Sequence, residues 1–284
     1  MNETLVLSGL YRWYQKFVFH DRIPEVEKSF VNLNLLEPHY REIFSSLSSS
    51  GYDGIEGFLE LPMIGEKSQP LKHLLEEYDL QMPVAYANST LHDSKISEKS
   101  IETFLALTRQ AIDSGVRYLD INPEPSENEK SAKEISWETA SIDTLSRKLK
   151  DLGALITIHY HDEMMRRDAM ELIHILENTD PDLVKLTLDF HWAFRAGIDP
   201  LELLDRYSSR VVALHLRNSV NGVWIEALQD GDVDYKKVAT MLNAVNWQGL
   251  IVVELANEKG MNKNHSIEDN HKSSREYVKK TFGA

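Results

Sequence analysis

Along most of the chain, short apolar runs alternate with longer stretches whose apolar positions recur every three to four residues. The rhythm repeats about every 30 residues, which is the pattern of βα units with parallel strands. The runs predict strands at Phe30–Leu35, Gly54–Leu59, Met82–Ala87, Val116–Asn122, Ala154–His161, Val184–His191, Val211–Arg217 and Leu250–Leu255. The intervening stretches predict helices near 38–50, 68–79, 97–114, 137–151, 163–178, 200–208, 234–245 and 266–281. Eight of each is the count of an α/β-class (β/α)8 TIM barrel. A doubly wound open sheet is the rival, but no GxGxxG or GxxxxGK[ST] turn occurs. Met1 to His20 reads as an amphipathic helix, so residues 1–28 are expected to be a helical extension packed on a single barrel domain of residues 1–284.

Alternation within the strands adds direction. In Ala154–His161, one face carries Leu155, Thr157, His159 and His161, and the other Ala154, Ile156, Ile158 and Tyr160. Val184–His191 sets Lys185, Thr187, Asp189 and His191 against Val184, Leu186, Leu188 and Phe190. Ala213, His215 and Arg217 oppose Val212, Leu214 and Leu216, and Glu254 shares a face with Leu250 and Val252. Successive strand residues point to opposite faces. The polar faces gather their functional groups at the C-terminal strand ends, where barrel active sites are built. Lys185 falls nearer the barrel floor, where an internal ion pair is expected.

Composition changes the picture only by exclusion. The 284 residues are 42% hydrophobic and 27% charged, an ordinary globular balance. No cysteine is present, which removes thiolate catalysis, disulfides and Cys-ligated metals. With 31 Lys plus Arg against 45 Asp plus Glu, the net charge of −14 disfavours nucleic acid as a partner. No run reaches the roughly 18 apolar residues of a membrane span. The N-terminus lacks the parts of a secretory signal, so a cytoplasmic location without membrane attachment is expected.

His159, His161, Asp189, His191, His215 and Glu254 are therefore expected to converge on the barrel mouth. Imidazoles with carboxylates suit one divalent metal ion such as Mn, Zn, Co or Mg. A lone buried histidine is more often a hydrogen-bonded core residue than a ligand. Asp189 and Glu254, however, lie in apolar strands, where an unpaired charge is costly. An ion held by about four such groups keeps positions open for the adjacent oxygens of a small-molecule sugar or polyol. It would acidify the neighbouring C–H and steady an enediolate-type intermediate, the chemistry of aldose–ketose isomerisation, epimerisation and β-elimination of water. Arg217, Glu56 and Trp192 are candidate substrate contacts. Trp224 could stack on a sugar face, although packing is the commoner use of tryptophan.

Several segments together resemble the sugar phosphate isomerase/epimerase family, the xylose isomerase-like barrels that include inosose dehydratases and ketose 3-epimerases. They are Gly51-Tyr52-Asp53-Gly54-Ile55-Glu56, Asn178-Thr179-Asp180-Pro181 leading to Asp189, and Asp189-Phe190-His191-Trp192 with Ala196-Gly197 and Asp199-Pro200. To these are added Val211 to Arg217, Asp230-Gly231-Asp232-Val233-Asp234-Tyr235, and Gly249 to Glu254. The resemblance implies a metal held by a Glu, an Asp, a His and a second Glu. Asp189, His215 and Glu254 match the last three. His159 stands where the first Glu belongs, and His159-Tyr160-His161-Asp162 resembles a His-rich strand end of some family branches. The first ligand is then His159, His161 or Glu163. The departure weighs against ketose 3-epimerisation with paired Glu bases. It leaves a one-base isomerisation or a dehydration, with Glu254, His191 and His161 as the proton-handling groups. A homo-oligomer is compatible with the resemblance.

The expected function is thus a metal-dependent isomerase, epimerase or dehydratase acting on a sugar, keto-sugar or inositol derivative. Two alternatives stand beside it. A DNA-repair enzyme of the endonuclease IV type shares the barrel but needs three zinc ions, and the first four predicted strands are poor in ligands. A non-catalytic sugar-binding barrel would fit the His159 substitution but not the retained Asp189, His215 and Glu254.

Overall fold

The computed structural model describes residues 3–21, 36–61, 71–126 and 129–284. In chain order the elements are β1 (Leu5–Gly9), α1 (Tyr11–Phe17), α2 (Tyr40–Ser49), β2 (Gly54–Phe58), α3 (Leu71–Glu77), β3 (Gln81–Ser89) and α4 (Ser97–Ala111). There follow β4 (Tyr118–Pro123), α5 (Ala132–Lys150), β5 (Leu155–Ile158), α6 (Arg166–Glu177), β6 (Val184–Asp189), α7 (Phe190–Arg195) and α8 (Pro200–Tyr207). The chain finishes with β7 (Val211–Leu216), β8 (Ser219–Val220), β9 (Val223–Trp224), α9 (Tyr235–Ala244), β10 (Leu250–Val253) and α10 (Ile267–Phe282). Eight strands close a barrel in the order β1-β10-β7-β6-β5-β4-β3-β2, while β8 and β9 form a separate antiparallel ribbon. The (β/α)8 barrel expected from the hydrophobic rhythm is the fold.

The first strand corrects one expectation. Leu5–Gly9 pairs with β10 (Leu5↔Leu250 to Ser8↔Val253) and with β2 (Leu7↔Gly54 to Gly9↔Glu56). Within the described part of residues 1–28, where a helical extension was expected, Leu5–Gly9 is a barrel strand and Tyr11–Phe17 is α-helix. The run Leu5-Val6-Leu7 suits a strand with neighbours on both edges, and Val6 and Leu7 are fully buried. The expected strand at Phe30–Leu35 lies outside the described residues.

By density of contacts the chain forms two units, Met1–Met82 with His215–Ala284, and Pro83–Leu214. In the first, the Gly51–Glu56 segment is held at several points. Gly51 takes a left-handed conformation (φ +84°) after α2, as glycine does without a steric penalty. The Asp53 carboxylate accepts from Val6 N, and Asp53 N donates to Val6 O. Gly54 has no room for a side chain, because a Cβ there would stand 2.2 Å from Gln81 O. The Asp230–Tyr235 segment is anchored likewise. Asp234 caps α9 by accepting from Lys236 N and Lys237 N, and Tyr235 donates its hydroxyl to Arg217 O.

In the second unit, β3 to β6 run parallel, with Val84↔Tyr118, Tyr118↔Leu155 and Ile156↔Val184 in register. α5 begins with a capping box of Ser131 and Glu134. Arg167, Asp168 and Ala169, at the start of α6, are all left-handed (φ +54° to +58°), which costs about 1–2 kcal/mol per non-glycine residue. Lys185 is half-buried and makes no ion pair among the described residues, contrary to the expectation of an internal one. Beside this unit's α5 and α6 a charged cluster is buried: Lys130 Nζ donates to both Glu138 oxygens at 2.9 and 3.0 Å and to Glu171 at 2.8 Å. Among the described residues, no helix is long and apolar enough to cross a membrane.

Candidate functional site

In the second unit, His159 directly follows β5 by one residue, and Asp189 ends β6. Both are buried, at 1% and 0% exposure. Asp189 also caps α7, its Oδ1 accepting from His191 N and Trp192 N at 2.8 Å each. That cap fixes the carboxylate, and its Oδ2 lies 3.5 Å from His159 Nε2. Beneath the pair, a chain of buried hydroxyls runs from Thr157 to Thr187 (2.8 Å) and on to Asp120 Oδ1 (2.8 Å). Tyr160, on the opposite strand face, donates to Asp189 O at 2.9 Å.

The cap changes the reading of His191. The strand stops at Asp189 rather than continuing to His191, because an Asp followed by two helical N–H groups starts a helix. His191 therefore sits in the first turn of α7, fully buried, its ring 5.8 Å from that of Phe194. His161 is half-buried, edge-on to His159 at 5.0 Å and tilted against Trp192 at 4.9 Å. Trp192 also carries Arg195 over its ring at 5.8 Å. Glu163, the third option for a first ligand, lies beyond the strand. Burial, followed by a hydrogen bond to Asp162, raises its carboxyl above the usual range.

In the first unit, His215 and Glu56 are buried together, at 1% and 6% exposure. His215 Nε2 is 3.1 Å from Glu56 Oε1, and His215 Nδ1 is 3.6 Å from Glu254 Oε2. Glu56, a candidate substrate contact, lies in the body of β2 and in contact with an imidazole. The apolar surroundings of Gly54-Ile55-Glu56-Gly57-Phe58 were the available signal, since a carboxylate buried there requires a partner. Glu254 follows β10 directly and also receives Arg217 Nη2. The guanidinium carbon of Arg217 lies 4.5 Å from the Trp224 ring centroid, a cation–π contact carried by the β8–β9 ribbon. The ribbon is tied down by Asp232, which accepts from Ser219 Oγ, Asn221 N and Gly222 N.

Each unit therefore holds one imidazole nitrogen and one carboxylate oxygen 3.5–3.6 Å apart, too long for a good hydrogen bond. Two donor atoms bound to one ion at about 2.0–2.2 Å each stand roughly 3–3.6 Å apart. The donor chemistry also fits, because neutral imidazole and carboxylate suit Mn, Zn or Co alike. His159 and Asp189 in one unit, and Glu56 and His215 in the other, are groups of a kind that can hold a metal ion.

The chain is 25% identical over 279 residues to an inosose dehydratase of Geobacillus kaustophilus, covering 84% of this chain and 89% of that one. Among solved structures, it superposes with a TM-score of 0.70 on a sugar phosphate isomerase/epimerase from Parabacteroides distasonis, at 17% identity over 98% of this chain and 94% of the other. A 3-keto-D-glucoside 4-epimerase from E. coli superposes with a TM-score of 0.67, at 14% identity over 99% and 100%. At these identities the likeness to the two structures is one of fold. The model of one family matches residues 44–281, and on that match the chain belongs to the xylose isomerase-like TIM barrel family.

Proposed function

We propose that this chain is a divalent-metal-dependent enzyme that moves a proton on the carbon beside a carbonyl of a sugar, keto-sugar or inositol-derived ketone. The observation that carries the reading is the pair of imidazole–carboxylate contacts at ligand spacing, at C-terminal strand ends, in a member of this family. Asp189, His215 and Glu254 would hold the ion, with His159 as the fourth ligand in place of a glutamate. When bound, the metal would polarise the substrate carbonyl and stabilise the negative charge that develops on its oxygen.

The chain's own residues supply the rest. Asp189 is held rigid by two backbone N–H groups, so its free-energy cost of positioning falls on the fold rather than on the reaction. Glu254 is the more accessible carboxylate, with its side chain 17% exposed, and is the group assigned to take the proton from carbon. Arg217 lies against it with a planar guanidinium suited to a substrate hydroxyl or carboxylate. His161, half-buried on Trp192, is the acid assigned to a leaving hydroxyl, and His191, fully buried in the first turn of α7, is the other proton-handling candidate. In a dehydration the proton taken from carbon and the C–O bond broken next to it leave an alkene and water. In an isomerisation or epimerisation the proton returns to carbon instead.

Similarity to an inosose dehydratase over most of both chains, and a histidine where the family's first glutamate stands, favour dehydration. The measurement is metal content by mass spectrometry, for the protein as purified and after loading with Mn²⁺, beside an Asp189→Asn/His215→Ala double variant. About one ion per chain, lost in the variant, together with water loss from a keto-inositol, is the expected result. Absence of metal in both proteins would overturn the metal-dependent reading in favour of a binding protein. Three zinc ions per chain would bring back the endonuclease. His73, one ligand such a cluster could draw on, is exposed on α3 and bonded to Glu76.

A further inference from the structure

The contact between Glu56 and His215 does more than bury two polar groups. A carboxylate has only acceptors, so a 3.1 Å contact between Glu56 Oε1 and His215 Nε2 places a proton on Nε2. In the neutral ring the lone pair is then on Nδ1, the nitrogen that faces Glu254 Oε2 at 3.6 Å. Glu56 has little freedom to change this. Its strand is locked by Gly54 against Gln81 O and by the Asp53–Val6 bonds. Gly9, in register beside Glu56, leaves the space that the Glu254 side chain fills, because a Cβ on Gly9 would stand 3.1 Å from Glu254 Cγ. The three side chains therefore occupy one compact group in which the imidazole lies between two carboxylates.

We infer that Glu56 is a positioning residue: it holds His215 as the Nε2–H tautomer and aims the Nδ1 lone pair toward Glu254, making Nδ1 the ligating atom. The inference rests on the metal reading above and adds the atom through which His215 acts and the residue that selects it. Hydrogen bonding at the far nitrogen fixes ring orientation and raises ligand basicity, and its loss typically weakens metal binding about 10–100-fold. Glu56 thereby leaves the set of substrate contacts and joins the support of the metal.

Two measurements test this separately. Nitrogen-15 histidine spectra of the metal-free protein report which ring nitrogen of His215 carries the proton. Mn²⁺ titration calorimetry reports affinity and stoichiometry in the wild type, in Glu56→Leu and in the isosteric Glu56→Gln, with circular dichroism as the check on folding. The expected result is Nε2–H in the wild type and a mixture of tautomers in Glu56→Leu. Mn²⁺ affinity should fall about 10–100-fold in Glu56→Leu and less in Glu56→Gln, with stoichiometry retained. A proton on Nδ1 of the wild-type ring, or unchanged Mn²⁺ affinity in both folded variants, would overturn the role of Glu56. Absence of Mn²⁺ binding by a wild type that shows the Nε2–H tautomer would instead overturn the metal reading, and the ligand assignment with it.

Discussion

Arg217 makes three contacts at once: its guanidinium meets Glu254 and lies over the Trp224 ring, and its carbonyl accepts from Tyr235. Only the first two depend on a planar cation. Arg217→Lys keeps the charge but loses the flat stacking surface and the forked donors. If Arg217 orients substrate, the variant should raise KM roughly tenfold, equivalent to about 1.4 kcal/mol, with metal stoichiometry unchanged. A fall in metal content would instead show that Arg217 supports the ligand set. Strand alternation brought Asp189, His215 and Glu254 to notice, because a charged residue in an apolar strand stands out against its neighbours. The same signal failed for His191, since the Asp189 cap ends the strand two residues earlier than the apolar run suggests. It said nothing of the Glu56–His215 contact, whose partners are 159 positions apart in sequence. Lys130, Glu138 and Glu171 escaped altogether, because nothing local marks a cluster assembled from a loop and two helices.

At the scale of elements, the β8–β9 ribbon is the device that presents Trp224 to Arg217, and Gly231 is its fulcrum. A Cβ at Gly231 would stand 2.3 Å from Ser219 O and 2.8 Å from Asn218 Cγ. Asn218 itself ties Gln229 O, Val233 O and Val233 N together, so neither neighbour can yield without breaking bonds. Gly231→Ala should destabilise the protein by about 1–3 kcal/mol, the usual cost of overpacking, and raise KM while leaving bound metal in place. Thermal unfolding beside metal analysis checks this; an unchanged melting temperature would mean that the ribbon shifts freely. Elements of this kind carried good sequence signals. The Asp-Gly-Asp-Val-Asp-Tyr run is legible because each residue meets a specific steric or capping demand. β1 was not, because Leu5–Gly9 is short and runs into a helix rich in aromatics, so the two merged into one amphipathic pattern.

For the molecule as a whole, two buried groups set opposing responses to pH. Burial holds His271 neutral, its pKa lowered to about 3 from 6.5, with Arg12 adding to the effect. Its ring is stacked on Trp13 at 5.4 Å and lies near Ser8 Oγ. The unfolded chain binds this proton below 6.5 and the folded one does not. Stability from His271 is therefore full above about 6.5 and is lost, at about 1.4 kcal/mol per pH unit, as pH falls toward 3. Glu171 acts in the other sense. Burial first, and then the neighbouring Glu138, raise its pKa to about 7, against the opposing pull of Lys130. Here the folded state keeps a proton that the unfolded chain has released. The contribution is full below the unfolded value near 4.5 and is lost as pH rises through 7. Between about 4.5 and 6.5 the two slopes are equal and opposite, so these groups leave a plateau there and a steep loss below it. Urea unfolding across pH 4–8 separates them. Glu171→Gln, which mimics the protonated acid, should gain up to about 3 kcal/mol at pH 8 relative to wild type and little at pH 4.5. It should also uncover the His271 slope across the plateau. His271→Gln should do the reverse, flattening the acid limb and leaving stability that falls with rising pH. Parallel pH profiles for wild type and both variants would show that neither group carries the proton linkage assigned to it.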